Sequence, residues 1–258
     1  LVILAVKRRT ARVKKSLTGQ TALVTGGAVR IGRAIARALA DQGCGVVVHY
    51  RRSRAEAAAL CRELEACGVP AWRVRADLVS ETGCRRAIDE AVARAGRLDI
   101  LVNNAAVFNA CPLERIDART LDTEFRANLY APIFLTRYFV AVARSGRIIN
   151  LLDRRIAAHD PGRIPYALSK KALADFTRAA ALALAPRFTV NGVAPGPVLP
   201  PPGESKSYLN VRAGRIPTGR PATPEEVADA VVFLSRSPSI TGQIVFVDGG
   251  QHLLGEGV

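Results

Sequence analysis

Seven short runs rich in valine, isoleucine and leucine recur along this chain, each separated from the next by a segment with helical spacing. The runs are TALVTG (21–26), GVVVHY (45–50), AWRVRADL (71–78), LDILVNNA (98–105), GRIINLLD (146–153), FTVNGVAPG (188–196) and GQIVFVDGG (242–250). Runs this apolar are buried on both faces, which a parallel sheet covered by helices on each side provides. The intervening segments supply the long crossovers that parallel neighbours need. Helical patterns fall at 30–43, 53–68, 81–95, 119–143, 165–185 and 224–235. Ser53 and Glu56 have capping-box spacing at the start of the second. No change of composition marks a second domain. The expectation is one doubly wound α/β domain, a Rossmann fold of about seven strands, over residues 18–258. Residues 1–17 are basic, lack apolar periodicity, and are expected to lie outside the fold as a tail.

Composition narrows the classes. At 49% apolar residues the chain has enough for a large core, which excludes wholesale disorder. No apolar run approaches the roughly 20 residues of a membrane helix. The apolar opening, residues 1–6, precedes its charges, the reverse of a secretory signal. A soluble, cytoplasmic protein is expected. The five cysteines form no CxxC, and the three histidines are far apart, so neither a disulfide framework nor a metal site is expected. The net charge of +15 brings nucleic acid into consideration. The arginines are spread along the chain without interleaved aromatics, apart from six basic residues among the first 15, so no nucleic-acid partner is expected.

The turn after the first run reads TGGAVRIGRAIA, with glycines at Gly26, Gly27 and Gly32 between strand and helix. Such a turn lets backbone approach a pyrophosphate, whose charge sits at the helix N-terminus. Arg30 lies inside the loop, facing phosphate, substrate or both. After the second strand an acidic residue would select NAD. The chain instead reads His49-Tyr50-Arg51-Arg52-Ser53, which suits the 2′-phosphate of NADP.

Tyr166 and Lys170 are four residues apart on a predicted helix, so their side chains meet. An ammonium beside a phenol is expected to lower its pKa from about 10 and make it a usable proton donor. Asp153 precedes this tyrosine by thirteen residues.

The motifs TGGAVRIG, ADL at 76–78, NNA at 103–105, Asn128 in RANLYAP, Tyr166 with Lys170, and VAPGPV at 193–198 occur in this order. Together they resemble the short-chain dehydrogenase/reductase family over roughly residues 18–252. The resemblance implies a cofactor site made of Gly26, Arg30, Ile31 and Gly32; of the 49–53 segment; and of Ala76, Asp77 and Leu78. Asn104, Ala105, Ala106, Pro195, Gly196 and Val198 complete it. Asp77 would contact the adenine, and Pro195 and Gly196 would flank the nicotinamide. Asn128 would hold a water-linked proton relay to Lys170. Family members commonly assemble as homotetramers through their long helices and last strand.

The family usually has serine where this chain has Asp153. That aspartate, Arg30, HYRRS, Phe108 soon after NNA, and the ending TGQIVFVDGGQHL are similar to the pteridine reductase branch, including dihydromonapterin reductases. The branch implies that Arg30, Phe108, Asp153 and Tyr166 meet the substrate, and that Asp153 with Tyr166 handles protons. An aromatic platform, a guanidinium and a carboxylate match a pterin's flat face and ring donors. Some pteridine reductases have serine directly after NNA, where this chain has Ala106 and Val107. The expected function is NADPH-dependent reduction of a pterin or dihydropterin. The alternatives are reduction of a 3-oxoacyl thioester or other ketone, and a dinucleotide-binding protein without turnover.

Overall fold

The computed structural model describes residues 17–200, 207, 209 and 215–254. The expected tail, residues 1–17, differs from expectation at its last position.

 Leu17 is buried at 1% exposure among the core side chains, and its N–H donates to the Gln42 carbonyl at 3.0 Å. Position 17 therefore belongs to the domain, and the remainder of the expected tail, residues 1–16, lies outside the described residues.

Seven parallel strands form one sheet in the order β3-β2-β1-β4-β5-β6-β7. They are β1 (Thr21–Val24), β2 (Gly45–Tyr50), β3 (Ala71–Arg75), β4 (Ile100–Asn103), β5 (Gly146–Leu151), β6 (Phe188–Pro195) and β7 (Ile244–Val247). The helices are α1 (Arg30–Asp41), α2 (Arg54–Ala66), α3 (Glu81–Ala95), α4 (Ala118–Phe125), α5 (Ala131–Val142), α6 (Ile164–Leu184) and α7 (Pro224–Arg236). Strand parity divides the core. Ala22, Val24, Val46 and Val48 pack with Ile35, Leu39, Leu60 and Val231 of α1, α2 and α7. Leu23, Val47, Leu101 and Ile148 face the other way, onto Ile88, Leu135, Phe139 and Ala180 of α3, α5 and α6. Each buried leucine or isoleucine contributes roughly 1.5–3 kcal/mol, so the continuous apolar runs hold both helical layers.

The caps show where local signals act. Ser80 accepts from the Gly83 N–H at 3.1 Å, and Thr223 and Glu226 form a full capping box ahead of α7. The box expected from Ser53 and Glu56 does not form. Ser53 has φ −77° and ψ 60°, away from the extended backbone that aims a cap oxygen at the helix N–H groups, and its side chain makes no cap bond.

The expected helix over 119–143 is also not a uniform α-helix. Between α4 and α5, residues Arg126–Tyr130 form a π-helical turn. Pro132 has no N–H to give the Asn128 carbonyl, which removes one α-helical bond at this place. Such turns are frequent at functional sites, and this one carries Asn128.

The strand order reverses beside β1, which lies between β2 and β4. Val24 pairs with Val48 on one side and Val102 on the other, so the segments that follow these residues open together. A ligand crevice forms where neighbouring strands send their crossovers to opposite faces.

Candidate active site

The glycine turn is built to be narrow. Gly26 has φ +60°, and a Cβ there would lie 3.2 Å from both the Ala105 Cα and the Asn104 Nδ2. A Cβ on Gly32 would lie 2.2 Å from the Gly26 carbonyl oxygen, closer than atoms can stand. Asn104 braces the turn by donating to the Thr25 and Gly26 carbonyls, and the Thr25 hydroxyl accepts from the Asn104 and Ala105 N–H groups.

His49 fixes the other side. Its Nδ1 accepts from the Gly26 N–H at 3.1 Å, which leaves Nε2 to donate to the Ala76 carbonyl at 3.2 Å. The ring is 2% exposed, and burial lowers its pKa to about 4. A neutral histidine thus ties the glycine turn to the end of β3.

A cavity of about 470 Å³ runs from this turn to Tyr166. Gly26, Arg30, Ile31, Gly32, His49 and Arg51 line it, as do Ala76, Asp77, Leu78, Asn104, Ala105 and Ala106. Gly196 and Val198 line its far wall, and Phe108, Asp153 and Tyr166 stand at the inner end. A Cβ on Gly196 would lie 2.8 Å from the Asp248 Cβ, so the VAPG turn rests on the VDGG segment. Arg30 holds a left-handed φ of +54° and donates to the Pro200 carbonyl at 2.8 Å.

A second cavity, of about 440 Å³, is lined by Arg51, Arg52, Arg75, Ala76, Asp77 and Arg86. Four of its six lining residues are arginines, the residue type that pairs with anions, with Asp77 among them and 3.8 Å from Arg51. Arg75 and Arg86 were not among the residues expected from sequence. Three expected residues stand elsewhere. Tyr50 is 8% exposed and packs in the core, because it follows His49 on a strand and so points to the opposite face. Ser53 occupies the N-cap of α2 and lines neither cavity, and Pro195 ends β6 in register with Val247.

Tyr166 and Lys170 do share α6, but their partners differ from expectation. The Tyr166 hydroxyl donates to Asp153 Oδ2 at 2.9 Å, and Lys170 Nζ donates to the Leu151 carbonyl at 2.7 Å. Burial, with the Asp153 charge next, pushes the phenol well above its ordinary pKa. The cation that pulls the other way is Arg155, not the lysine expected from the spacing, and it is outweighed, so Tyr166 stays protonated at neutral pH. Burial pulls Lys170 down to about 8, against the pull of Asp153 and Glu124.

Asp153 is not alone. It caps a 3-10 turn (Arg154–Ala157) by accepting from the Arg155 N–H at 2.8 Å, and Arg155 Nη1 reaches both its oxygens at 3.1 Å. Arg155 Nε also donates to Asp160 at 2.6 Å. Above this network Phe108 is 37% exposed, so it is not a core residue. Its ring meets Tyr166 edge-on at 4.7 Å, with the Arg163 and Arg155 guanidinium carbons 4.4 and 5.2 Å from its centroid.

Asn128, fully buried, donates to Glu124, Ser169 and the Val107 carbonyl, and accepts from the Val107 N–H. Glu124 is 2% exposed and also accepts from the backbone and side chain of Asn109. This carboxylate joins the Asn128 turn to the loop bearing Phe108. Sequence reading missed Glu124 and Arg155. Their one signal is their spacing, four residues before Asn128 and two after Asp153.

Residues 18–252 match the short-chain family model described as enoyl-(acyl carrier protein) reductase. The chain belongs to the short-chain dehydrogenase/reductase family. Within that family, it is 35% identical to the alternative dihydrofolate reductase 1, FolM, of Brucella canis, solved in complex with NADP. The two superpose with a TM-score of 0.88 over 93% of this chain and 96% of that one. The glucose and ribitol dehydrogenase homolog 2 of Arabidopsis thaliana is 36% identical over 91% of this chain and 86% of its own. The 3-oxoacyl-(acyl-carrier-protein) reductase FabG of Staphylococcus aureus is 34% identical over 91% of this chain and 98% of its own.

Proposed function

We propose that this short-chain family member reduces a pterin or dihydropterin with NADPH. It is an NADP-dependent short-chain oxidoreductase. The cavity fits the dinucleotide, since a Cβ would fill the cradle at Gly26 and Gly32 and four arginines await a phosphate. Gly26, Gly32, Asn104 and Gly196 would hold it along the first cavity, with Arg51, Arg52, Arg75 and Arg86 at the extra phosphate. When bound, NADPH supplies the hydride.

The protein's own groups manage the proton. Tyr166, protonated, would turn its one O–H from Asp153 Oδ2 to the atom that takes up charge as the substrate is reduced, which frees Oδ2 to accept from a ring donor. Lys170 is held against the Leu151 carbonyl beneath the site, and Asn128 is read as the start of a relay that returns a proton. Phe108 and Tyr166 meet edge-on at the inner end and offer the substrate an aromatic wall.

The observation that carries the pterin reading is the Asp153 carboxylate accepting the Tyr166 hydroxyl where the family usually has serine. A carboxylate suits the amino and amide donors of a pterin ring, whereas a simple ketone asks only for a donor. The likeness to FolM supports this reading. The likeness to FabG, with Ala106 and Val107 offering the substrate no side-chain hydrogen bond, favours a 3-oxoacyl thioester as the second reading. Oxidation of NADPH across dihydropterins, dihydrofolate and 3-oxoacyl thioesters tests it. Turnover of the dihydropterins is expected, and activity on thioesters alone would replace the first reading with the second.

We also infer a homotetramer. Leu168 and Leu182 of α6 and Val142 of α5 are 47%, 85% and 46% exposed, and all four β7 residues are only partly covered. Among the described residues no helix is long and apolar enough to cross a membrane. A cytoplasmic location, suggested by five free cysteines, and a small-molecule rather than nucleic-acid partner complete the reading.

A further inference from the structure

We propose that Arg155 is a positioning residue for proton transfer at Tyr166: it pins Asp153 and offsets its charge, with Asp160 as its anchor. The proposal rests on the assignment of Tyr166 as proton donor, but on neither choice of substrate.

The four side chains form one line of contacts. Asp160 accepts from Arg155 Nε at 2.6 Å, Arg155 Nη1 bridges both Asp153 oxygens at 3.1 Å, and Asp153 Oδ2 accepts from Tyr166 at 2.9 Å. Asp153 Oδ1 takes a further bond from the Arg155 N–H at 2.8 Å. Each carboxylate oxygen therefore has two donors, and one residue supplies three of the four bonds. With side chains only 13% and 11% exposed, Asp153 and Arg155 are shielded from solvent. A pair this covered interacts far more strongly than one at the surface.

The charge around Tyr166 explains why the pin matters. When the Tyr166 O–H bond breaks, the proton goes to the substrate and the electron pair stays on the phenol oxygen. That oxygen is then an anion beside Asp153, with the Glu124 carboxylate of α4 adding its own field. Arg155 on the 3-10 turn is the cation that acts on it, while Lys170 on α6 donates to the Leu151 carbonyl, Arg163 stands over Phe108, and buried Arg154 lines the same cavity. Arg155 favours the phenolate where Asp153 and Glu124 oppose it. The guanidinium also packs toward Phe108, so the same group sets both the carboxylate and the ring that meets Tyr166.

The test pairs a substrate-free signal with turnover. With only five tyrosines, a protein labelled at the tyrosine ring carbon that bears the hydroxyl gives a simple carbon spectrum, in which Tyr166→Phe assigns the Tyr166 resonance. Arg155→Gln is expected to move that resonance at pH 7 in protein that still binds NADPH, and Asp160→Asn to move it less in the same direction. Arg155→Lys should restore part of the shift. In turnover of a dihydropterin or a 3-oxoacyl thioester, Arg155→Gln should lower kcat by about tenfold, but much less when Asp153→Asn is already present. A resonance unmoved in folded Arg155→Gln overturns the proposal. So do losses of equal size in both backgrounds, or a loss confined to the substrate KM. If neither substrate class turns over, the functional reading fails while the spectrum still decides the role of Arg155.

Discussion

Lowering the pH from 7 to 5 should loosen this protein through His49, by an amount the structure allows one to work out. The folded ring has a pKa of about 4 because it is buried, whereas an unfolded histidine titrates near 6.5. Between these values the unfolded chain binds the proton and the folded one does not. Stability therefore rises with pH in that window and is lost as pH falls through it. The loss at pH 5 relative to pH 7 is about 2 kcal/mol, a sizeable share of an ordinary domain's 5–15 kcal/mol. Urea unfolding of the wild type and of His49→Asn at both pH values isolates it, since the other titrating groups are common to both. The variant should be less stable at pH 7, because the Gly26 N–H and Ala76 carbonyl lose well-placed partners, yet fall less on acidification. An equal fall in both proteins would refute the buried neutral histidine.

NADPH should bind more than tenfold tighter than NADH, since charge-assisted bonds to the extra phosphate are worth roughly 1.5–3 kcal/mol each. Calorimetry on Arg51→Ala with Arg52→Ala should erase most of that preference, and equal affinities in the wild type would contradict the four-arginine site. Tyr166→Phe should reduce turnover at least a hundredfold while leaving NADPH affinity nearly unchanged; full activity would move the proton donor to Asp153. Deleting residues 1–16 should leave the melting temperature unchanged, whereas removing Leu17 as well should cost about 1.5–3 kcal/mol.

The architecture was legible because alternation in a buried strand is strict. Val46, Val47 and Val48 read as one apolar run, and the sheet sends them to alternate faces, so the pattern itself called for helices on both sides. The same rule explains why the Tyr50 side chain packs in the core and does not line the cavity with His49, since consecutive strand residues diverge. Arg75 and Arg86 were missed because their meeting with Arg51 depends on the β2–β3 register and on where α3 starts. Arg155 looks like an ordinary surface arginine until the 3-10 turn folds it back on Asp153. The Tyr166–Lys170 spacing was legible, but the direction of the phenol's shift was not, because it is set by burial and by Asp153, with Arg155 the opposing cation.

The pterin reading is tested most directly by Asp153→Ser, which restores the residue usual in the family. Steady-state kcat/KM would be measured for a dihydropterin and for a 3-oxoacyl thioester, with wild type and variant side by side. A site that hydrogen-bonds the heterocycle through Asp153 should lose at least a hundredfold on the dihydropterin and keep or gain activity on the thioester, where a serine hydroxyl suffices as donor beside Tyr166. Equal losses on both substrates, or a wild type that turns over only the thioester, would contradict it.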